Sequence, residues 1–370
     1  MEIASAIVLN KLDQGSNSEE SSRHLYHPYR SHQLNPNYKR EFDSQGLKLH
    51  SNDGFRSDRE YSKKKDPDTF RIIMLGGSAL YGIGATTPYP KAPSLKNNET
   101  VSYYLEQELN SALNEEGKGY RVEIINAAVS AYTTFHHLVY VNEILLEYEP
   151  DLLVFLDGHN DFYYHKPYNN WHKYNLGTVK LTEQFNARSS WFATLSNARF
   201  LAKYSKFFMI LERYQQRNWE RLADIPKIPT DTNTDRNFDK VFEDVFQSTV
   251  MKSYVQIQSL GTLFDYEMQV FLQPQIVLED DDVLSGEDLD LKRITLEYDD
   301  NTQRPAIREL LPDIFKQQNI EFHDVATIGS SENKNIQLYT DYCHLTPQGA
   351  SHTAFAMKEP VLAKIRQMNK

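Results

Sequence analysis

The fold follows from one stretch, Arg71-Ile72-Ile73-Met74-Leu75-Gly76-Gly77-Ser78-Ala79-Leu80-Tyr81-Gly82. Its continuous apolar run predicts a strand buried on both faces, as parallel strands are. The two glycines that follow permit a tight turn, and Ser78 comes directly after it. Because ligands of open α/β sheets bind at the carboxyl ends of the strands, Ser78 is placed for chemistry. Taken alone, however, a stretch of this kind is more often a strand followed by a serine that caps the next helix.

Strands and helices alternate along the rest of the chain, which predicts right-handed βαβ units and a parallel sheet. Four more apolar runs predict strands at 122–126, 152–156, 267–272 and 320–325. Amphipathic patterns predict helices at 99–114, 133–148, 238–264, 305–318 and 348–368. Residues 273–300 are predicted to be an acidic loop, with Asp280-Asp281-Asp282 on a solvated surface.

Two regions interrupt this pattern. The polar composition of residues 1–69 predicts a partly flexible lead-in segment. The main domain is predicted to comprise residues 70–370. A helical and aromatic insertion is predicted after the third strand, at about 162–236. The short apolar stretch Met1–Leu12 suggests the hypothesis of a membrane tether upstream, with an extracytoplasmic location. An ordinary short helix and a cytoplasmic location are the alternative.

Composition excludes several classes of protein. The formal net charge of −11 over 370 residues argues against a nucleic-acid binder, which needs a basic face. With Cys343 as the single cysteine, neither an intrachain disulfide nor a cysteine-based zinc site can form. No apolar run reaches the length of about 18 residues that a membrane span requires.

Polar stretches that follow other predicted strands supply the partners that Ser78 needs. They are residues 126–134, 157–161 and 341–347. A serine hydroxyl requires a base within hydrogen-bond reach, which His344 can provide. Asp341, three residues earlier, can hold the other ring nitrogen. An attacked carbonyl also needs oxyanion donors, for which the Asn160 amide and the backbone N–H groups of Ser78 and Ala131 are candidates.

As a set, these motifs resemble the SGNH hydrolases, also called GDSL-type esterases and lipases. The resemblance covers about residues 70–368 and is carried by Gly76-Gly77-Ser78, 126–134, Gly158-His159-Asn160-Asp161 and Asp341-x-x-His344. It implies a three-layer α/β/α flavodoxin-like sandwich with a five-stranded sheet of order 2-1-3-4-5. It further implies no cofactor, a triad of Ser78, Asp341 and His344, and an oxyanion hole of Ser78, Ala131 and Asn160.

Two positions depart from the family pattern. Gly77 stands where the namesake motif has Asp, which many members tolerate because that Asp is not the triad acid. Ala131 stands where the second motif usually has the oxyanion-hole glycine. Alanine keeps the N–H but disfavours a positive φ, so weakened catalysis or a reshaped hole is expected there.

Other reactive residues have less specific patterns. A Cys343 thiol nucleophile is the minor alternative to Ser78, since a partly buried cysteine is usually inert. The pair His136-His137 is predicted to have an ordinary surface role, and no metal site is expected. Candidate substrate-binding residues are His159, Tyr163, Tyr164 and Trp171. For His159, a structural or solvent-exposed role is the equal alternative. For the aromatic residues, the equal alternative is a mini-core that packs the insertion onto the main domain.

The sequence therefore predicts a serine esterase that acts through an acyl-enzyme on Ser78. Its expected substrate is a small ester or an acylated carbohydrate, with removal of acetate favoured. A lipase or thioesterase for longer acyl chains is one alternative. The other is a catalytically weak module for binding or assembling a polysaccharide.

Overall fold

The computed structural model describes residues 23–38, 48–161, 246–298 and 304–368. Residues 23–38 belong to one compact unit and the other three ranges to a second. In the first unit, β1 (His24–His27) and β2 (Ser31–Leu34) form an antiparallel hairpin. The predicted insertion at 162–236 lies outside the described residues, and so do residues 237–245 that follow it.

A five-stranded parallel sheet forms the centre of the second unit. Its strands are β3 (Thr69–Gly76), β4 (Arg121–Asn126), β5 (Leu152–Asp157), β6 (Glu267–Leu272) and β7 (Glu321–Asp324). Their order, β4-β3-β5-β6-β7, is the predicted 2-1-3-4-5 order, and the α/β fold class is confirmed.

The apolar part of the stretch that decided the fold forms β3, which lies next to the edge strand β4. All eight residues of β3 are buried. Ile72 pairs with Ile124 of β4 on one side and with Leu152 of β5 on the other. Apolar side chains on both faces of a strand are typical of a parallel sheet covered by helices on both sides. Hydrophobic burial at this strand therefore sets the position of the turn that follows it.

Seven α-helices are described in the second unit. They are α1 (Ser78–Tyr81), α2 (Val101–Glu115), α3 (Thr134–Glu143), α4 (Lys252–Phe264), α5 (Gly286–Tyr298), α6 (Arg304–Gln317) and α7 (Pro347–Met368). The second predicted helix is shorter than expected, because the chain changes to a 3₁₀ turn at Leu145–Tyr148. None of the helices in the described ranges has both the length and the apolar character that a membrane crossing needs.

Helix α5 contradicts the prediction of a continuous acidic loop over 273–300. Its sequence is rich in charged residues and its apolar stripe is weak, so hydrophobic periodicity did not indicate a helix there. The signal at its start is Ser285, whose hydroxyl accepts the N–H of Asp288 at 3.1 Å, as a helix-capping serine does. Asp280, Asp281 and Asp282 are exposed, as predicted.

Two buried carboxylates of this acidic region hold the segment that carries Asp341 and His344. Glu279 accepts the N–H of Ile328 at 2.7 Å and the hydroxyl of Tyr339 at 2.6 Å. Asp288 accepts the N–H groups of Leu338 and Tyr339 at 2.9 and 3.0 Å. A buried carboxylate is stable only when it is hydrogen-bonded. These bonds therefore fix the backbone position of the segment that leads to Asp341.

We expect Tyr339→Phe to lower the free energy of unfolding by about 1–3 kcal/mol, because Glu279 stays buried and loses a donor. Urea denaturation measures the difference. Tyr103→Phe, at a half-exposed position on α2, is the matched control and should change stability by less than about 0.5 kcal/mol. Equal stability of Tyr339→Phe and the wild type would contradict the role assigned to this bond.

Candidate active site

Ser78 lies at the turn between β3 and α1. It is the first residue of α1, with Gly77 in the N-cap position, and it is partly exposed. The first N–H groups of a helix have no partner within the helix. The turn therefore presents the Ser78 hydroxyl at the carboxyl edge of the sheet, next to backbone N–H groups.

His344 connects Ser78 to Asp341. Its Nε2 lies 2.7 Å from Ser78 Oγ, and its Nδ1 lies 2.6 Å from Asp341 Oδ2. The other oxygen of Asp341 accepts the N–H groups of Cys343 and His344 at 3.0 and 2.9 Å. Burial acts to raise the pKa of Asp341, but the imidazole and these N–H groups outweigh it and lower the pKa below its usual value. The side chain is therefore an ionised carboxylate that orients the ring.

A closed turn explains why the Asp-x-x-His spacing works. The N–H of Thr340 donates to the carbonyl of His344 at 2.8 Å, and Tyr339 forms a β-bridge with Leu345. These contacts fold residues 339–345 back on themselves. The turn thereby holds the Asp341 carboxylate beside Nδ1 of the His344 ring.

Asn160 is brought beside the Ser78 turn. Its Nδ2 donates to the carbonyl of Tyr132 at 2.7 Å, which uses one of the two N–H bonds of the amide. A Cβ atom added to Gly77 would lie 2.4 Å from the same nitrogen. Any side chain at position 77 would therefore require the Asn160 amide to move from its present position.

Ala131 adopts a left-handed backbone conformation, with φ of +62°. For an alanine this conformation costs about 1 kcal/mol relative to the right-handed one. The chain thus keeps the conformation that a glycine would favour at this position. The added methyl group does not prevent it.

The histidine pair on α3 corrects one expectation, because both rings are buried rather than on the surface. His137 Nε2 lies 3.0 Å from Asp157 Oδ1, at the end of β5. Tyr254 of α4 donates its hydroxyl to the other oxygen of Asp157 at 2.9 Å. The strand that leads to Asn160 is therefore attached to helices by a buried polar network, which a single sequence does not reveal.

Asp161 connects the two loops of the candidate oxyanion hole. Its Oδ1 accepts the N–H and the hydroxyl of Thr134 at 3.1 and 2.7 Å, at the start of α3. Burial, followed by the nearby charge of Asp157, raises the pKa of Asp161 to about 7. The Asn160 loop is thus held to the Tyr132–Thr134 turn by a carboxyl group that titrates near neutrality.

Cys343 is buried, directly precedes His344 in the sequence and lies near Asp341. Potential metal-binding atoms of Asp341, Cys343 and His344 lie within 4.8 Å of one another. The carboxylate and the imidazole, however, bind each other, and burial raises the pKa of the Cys343 thiol well above its usual value. A protonated thiol is neither a good metal ligand nor a nucleophile, so the geometry favours acid–base chemistry centred on Ser78.

Of the candidate substrate-binding residues, only His159 lies within the described ranges. Tyr163, Tyr164 and Trp171 lie outside them. The ring of His159 lies 4.6 Å from that of Tyr342, whose ring is 5.6 Å from His344. Tyr342 and Arg304, which contacts His159, were missed by the sequence analysis. Only Tyr342 had a signal in the sequence, through its position inside the Asp-x-x-His motif.

Comparisons with known proteins give distant structural matches. No family model matches the chain, and no curated protein matches it. The acetylxylan esterase Axe2 from Geobacillus stearothermophilus matches at 13% identity, with coverage of 78% of this chain and 91% of that one and a TM-score of 0.37. Est24, a carbohydrate acetylesterase from Sinorhizobium meliloti, matches at 12% identity, with coverage of 80% and 99% and a TM-score of 0.39. Likenesses this distant do not carry an activity from one protein to another, so function has to be inferred from the site itself.

We expect Asp161→Asn to remove a pH dependence of stability. Because the pKa of Asp161 is raised from its ordinary value near 4 to about 7, the folded protein binds more protons than the unfolded chain between these pH values. Its contribution to stability is therefore full below about pH 4 and is lost as the pH rises towards 7. The stability of Asp161→Asn relative to the wild type should increase over this interval, by at most about 1.4 kcal/mol per pH unit.

Urea denaturation at a series of pH values measures this difference. The asparagine oxygen still accepts both Thr134 donors, so the variant should fold. Asp282→Asn, at an exposed position, controls for the loss of one negative charge. A relative stability of Asp161→Asn that does not change with pH would show that folding does not raise the pKa of this carboxyl group.

Proposed function

We propose that the protein is a serine esterase that hydrolyses carboxylic esters through an acyl-enzyme on Ser78. The observation that carries the proposal is the continuous hydrogen-bonded series from Ser78 Oγ through His344 to Asp341. A hydroxyl, an imidazole and a buried carboxylate in this arrangement are the groups that nucleophilic acyl transfer requires. The resemblance to SGNH hydrolases assigns the same residues the same roles.

Acylation begins when Ser78 Oγ attacks the ester carbonyl carbon and His344 Nε2 takes the hydroxyl proton. Asp341 accepts the Nδ1–H and stabilises the imidazolium that forms. The oxyanion receives hydrogen bonds from the Asn160 amide and the N–H groups of Ser78 and Ala131. The intermediate then collapses, and the leaving alcohol departs with the proton from His344.

Deacylation repeats these steps with water as the nucleophile. His344 removes a proton from the water, whose oxygen attacks the acyl carbon. Collapse of the second intermediate breaks the bond to Ser78 Oγ, which takes its proton back from the imidazolium. The products are the carboxylic acid and the free enzyme, so no external oxidant or reductant is required.

We further propose that the acyl group is short and that the alcohol is a carbohydrate. Two partly exposed tyrosine rings support this choice, since aromatic rings pack well on the apolar faces of sugars. Tyr342 lies beside His344, and its ring is 5.9 Å from that of Tyr89. A lipase or thioesterase would instead need an extended apolar groove next to Ser78.

A fluorophosphonate probe tests the reaction class. We expect it to label the wild type and Cys343→Ala but not Ser78→Ala, as intact-protein mass spectrometry would detect. Folded wild type that is not labelled would overturn the esterase proposal and favour the polysaccharide-binding module. p-Nitrophenyl esters of increasing chain length and acetylated polysaccharides then define the substrate, and a preference for long acyl chains would favour the lipase alternative.

We expect Gly77→Ala to reduce kcat about 10²- to 10³-fold with little change in KM, the cost of losing one oxyanion donor. The new methyl group would displace the Asn160 amide, from which its position is 2.4 Å away. Hydrolysis of p-nitrophenyl acetate measures both constants. The matched control is Gly119→Ala, whose added Cβ meets no atom within 4 Å. A kcat within threefold of wild type for Gly77→Ala would argue that Asn160 is not an oxyanion donor.

A further inference from the structure

Arg304 is one of the largest fully buried side chains among the described residues, although arginine is usually exposed. It is the first residue of α6, and its guanidinium reaches the edge of the sheet where Ser78 lies. Nη1 lies 3.1 Å from His159 Nδ1 and also donates to Gln275 Oε1. One cation therefore joins the loop after β5 to the loop after β6.

The contact with Arg304 determines the tautomer of His159. A guanidinium remains protonated in proteins and has no acceptor atom. His159 Nδ1 must therefore accept the hydrogen bond, which places the ring proton on Nε2. An imidazolium, with protons on both nitrogens, has no lone pair with which to accept from Arg304.

The His159 ring in turn contacts the segment that carries the acid–base pair. Its centroid lies 4.6 Å from that of Tyr342, at an interplanar angle of 39°. Tyr342 directly follows Asp341, and its carbonyl accepts the N–H of Ile276, next to Gln275. Since Asn160 directly follows His159, the contact between the two rings connects the oxyanion donor to the triad loop.

From this arrangement we infer that Arg304 is a positioning residue for the active site and acts through His159. It holds His159 as the Nε2–H tautomer with its ring against Tyr342, and this ring contact sets the distance between the Asn160 amide and His344. His159 then serves mainly to align the two loops rather than to bind substrate. The inference rests on the proposed esterase function for its effect on rate, whereas the tautomer is a property of the folded protein alone.

The experiment compares four variants of the full chain. Arg304→Met removes the donor, and Arg304→Lys keeps the charge but not the planar fork that can reach both acceptors. His159→Asn keeps an oxygen near the position of Nδ1 that can accept from Arg304. His159→Gln places its amide near the position of Nε2 instead. Both histidine variants lose the ring contact with Tyr342.

Two measurements are made on each folded variant. ¹⁵N resonances of the histidine rings report the tautomer of His159, assigned by its absence in His159→Asn. The second-order rate constant for fluorophosphonate labelling of Ser78 reports the alignment of nucleophile and oxyanion hole. We expect the wild type to show an unprotonated Nδ1, and Arg304→Met to lose this tautomer and to label about 10- to 100-fold more slowly, the scale of a small misplacement of reacting groups.

We also expect Arg304→Lys to label at an intermediate rate. Both His159→Asn and His159→Gln should label more slowly than the wild type, because both lose the ring contact with Tyr342. An Nδ1–H tautomer in the wild type, or equal labelling rates for Arg304→Met and wild type, would overturn the inference. If Arg304→Met does not fold, Arg304→Lys decides, and a labelling rate equal to that of the wild type would overturn it. A wild type with the expected tautomer that is never labelled would count against the esterase proposal and not against the assigned tautomer.

Discussion

The 2.7 Å contact between His344 Nε2 and Ser78 Oγ joins residues 266 positions apart. It can form because β3 ends at Gly76, two residues before Ser78, and the chain returns after β7 to the same edge of a parallel sheet. The carboxyl ends of parallel strands meet at one edge, so each loop that leaves a strand there is close to the others. Hydrophobic burial of the strands thereby supplies the proximity on which the proposed chemistry depends.

Buried polar groups then restrict the loops at this edge to single positions. Glu279 and Asp288 hold the segment before Asp341, while Asp157 and Asp161 hold the loop around Asn160. A buried acceptor that loses its donor costs about 1–3 kcal/mol, so each loop has a strong preference for the arrangement that satisfies these groups. Catalytic geometry of this kind needs alignment to a fraction of an ångström, which apolar packing alone does not impose.

The two departures from the SGNH pattern have different structural consequences. At Gly77, the absence of a side chain leaves space for the Asn160 amide, so the substitution fits the site. At Ala131, the chain adopts the left-handed conformation in spite of its cost. Both positions therefore retain backbone arrangements compatible with an oxyanion hole. The decay of activity that Ala131 suggested from sequence finds no support in its backbone conformation.

The sequence by itself indicated the α/β class and the candidate residues Ser78, Asn160, Asp341 and His344, because these depend on local patterns: apolar runs, turn glycines and short motifs. The strand order followed only from the resemblance to the SGNH hydrolases. Prediction from the sequence failed where a residue's role depends on what lies across the fold. Helix α5, the buried pair His137 and Asp157, and Arg304 beside His159 carry no local signal of their partners. Burial and hydrogen bonding between distant segments exist only once the chain is folded, so the tertiary structure alone decided which polar residues support the site.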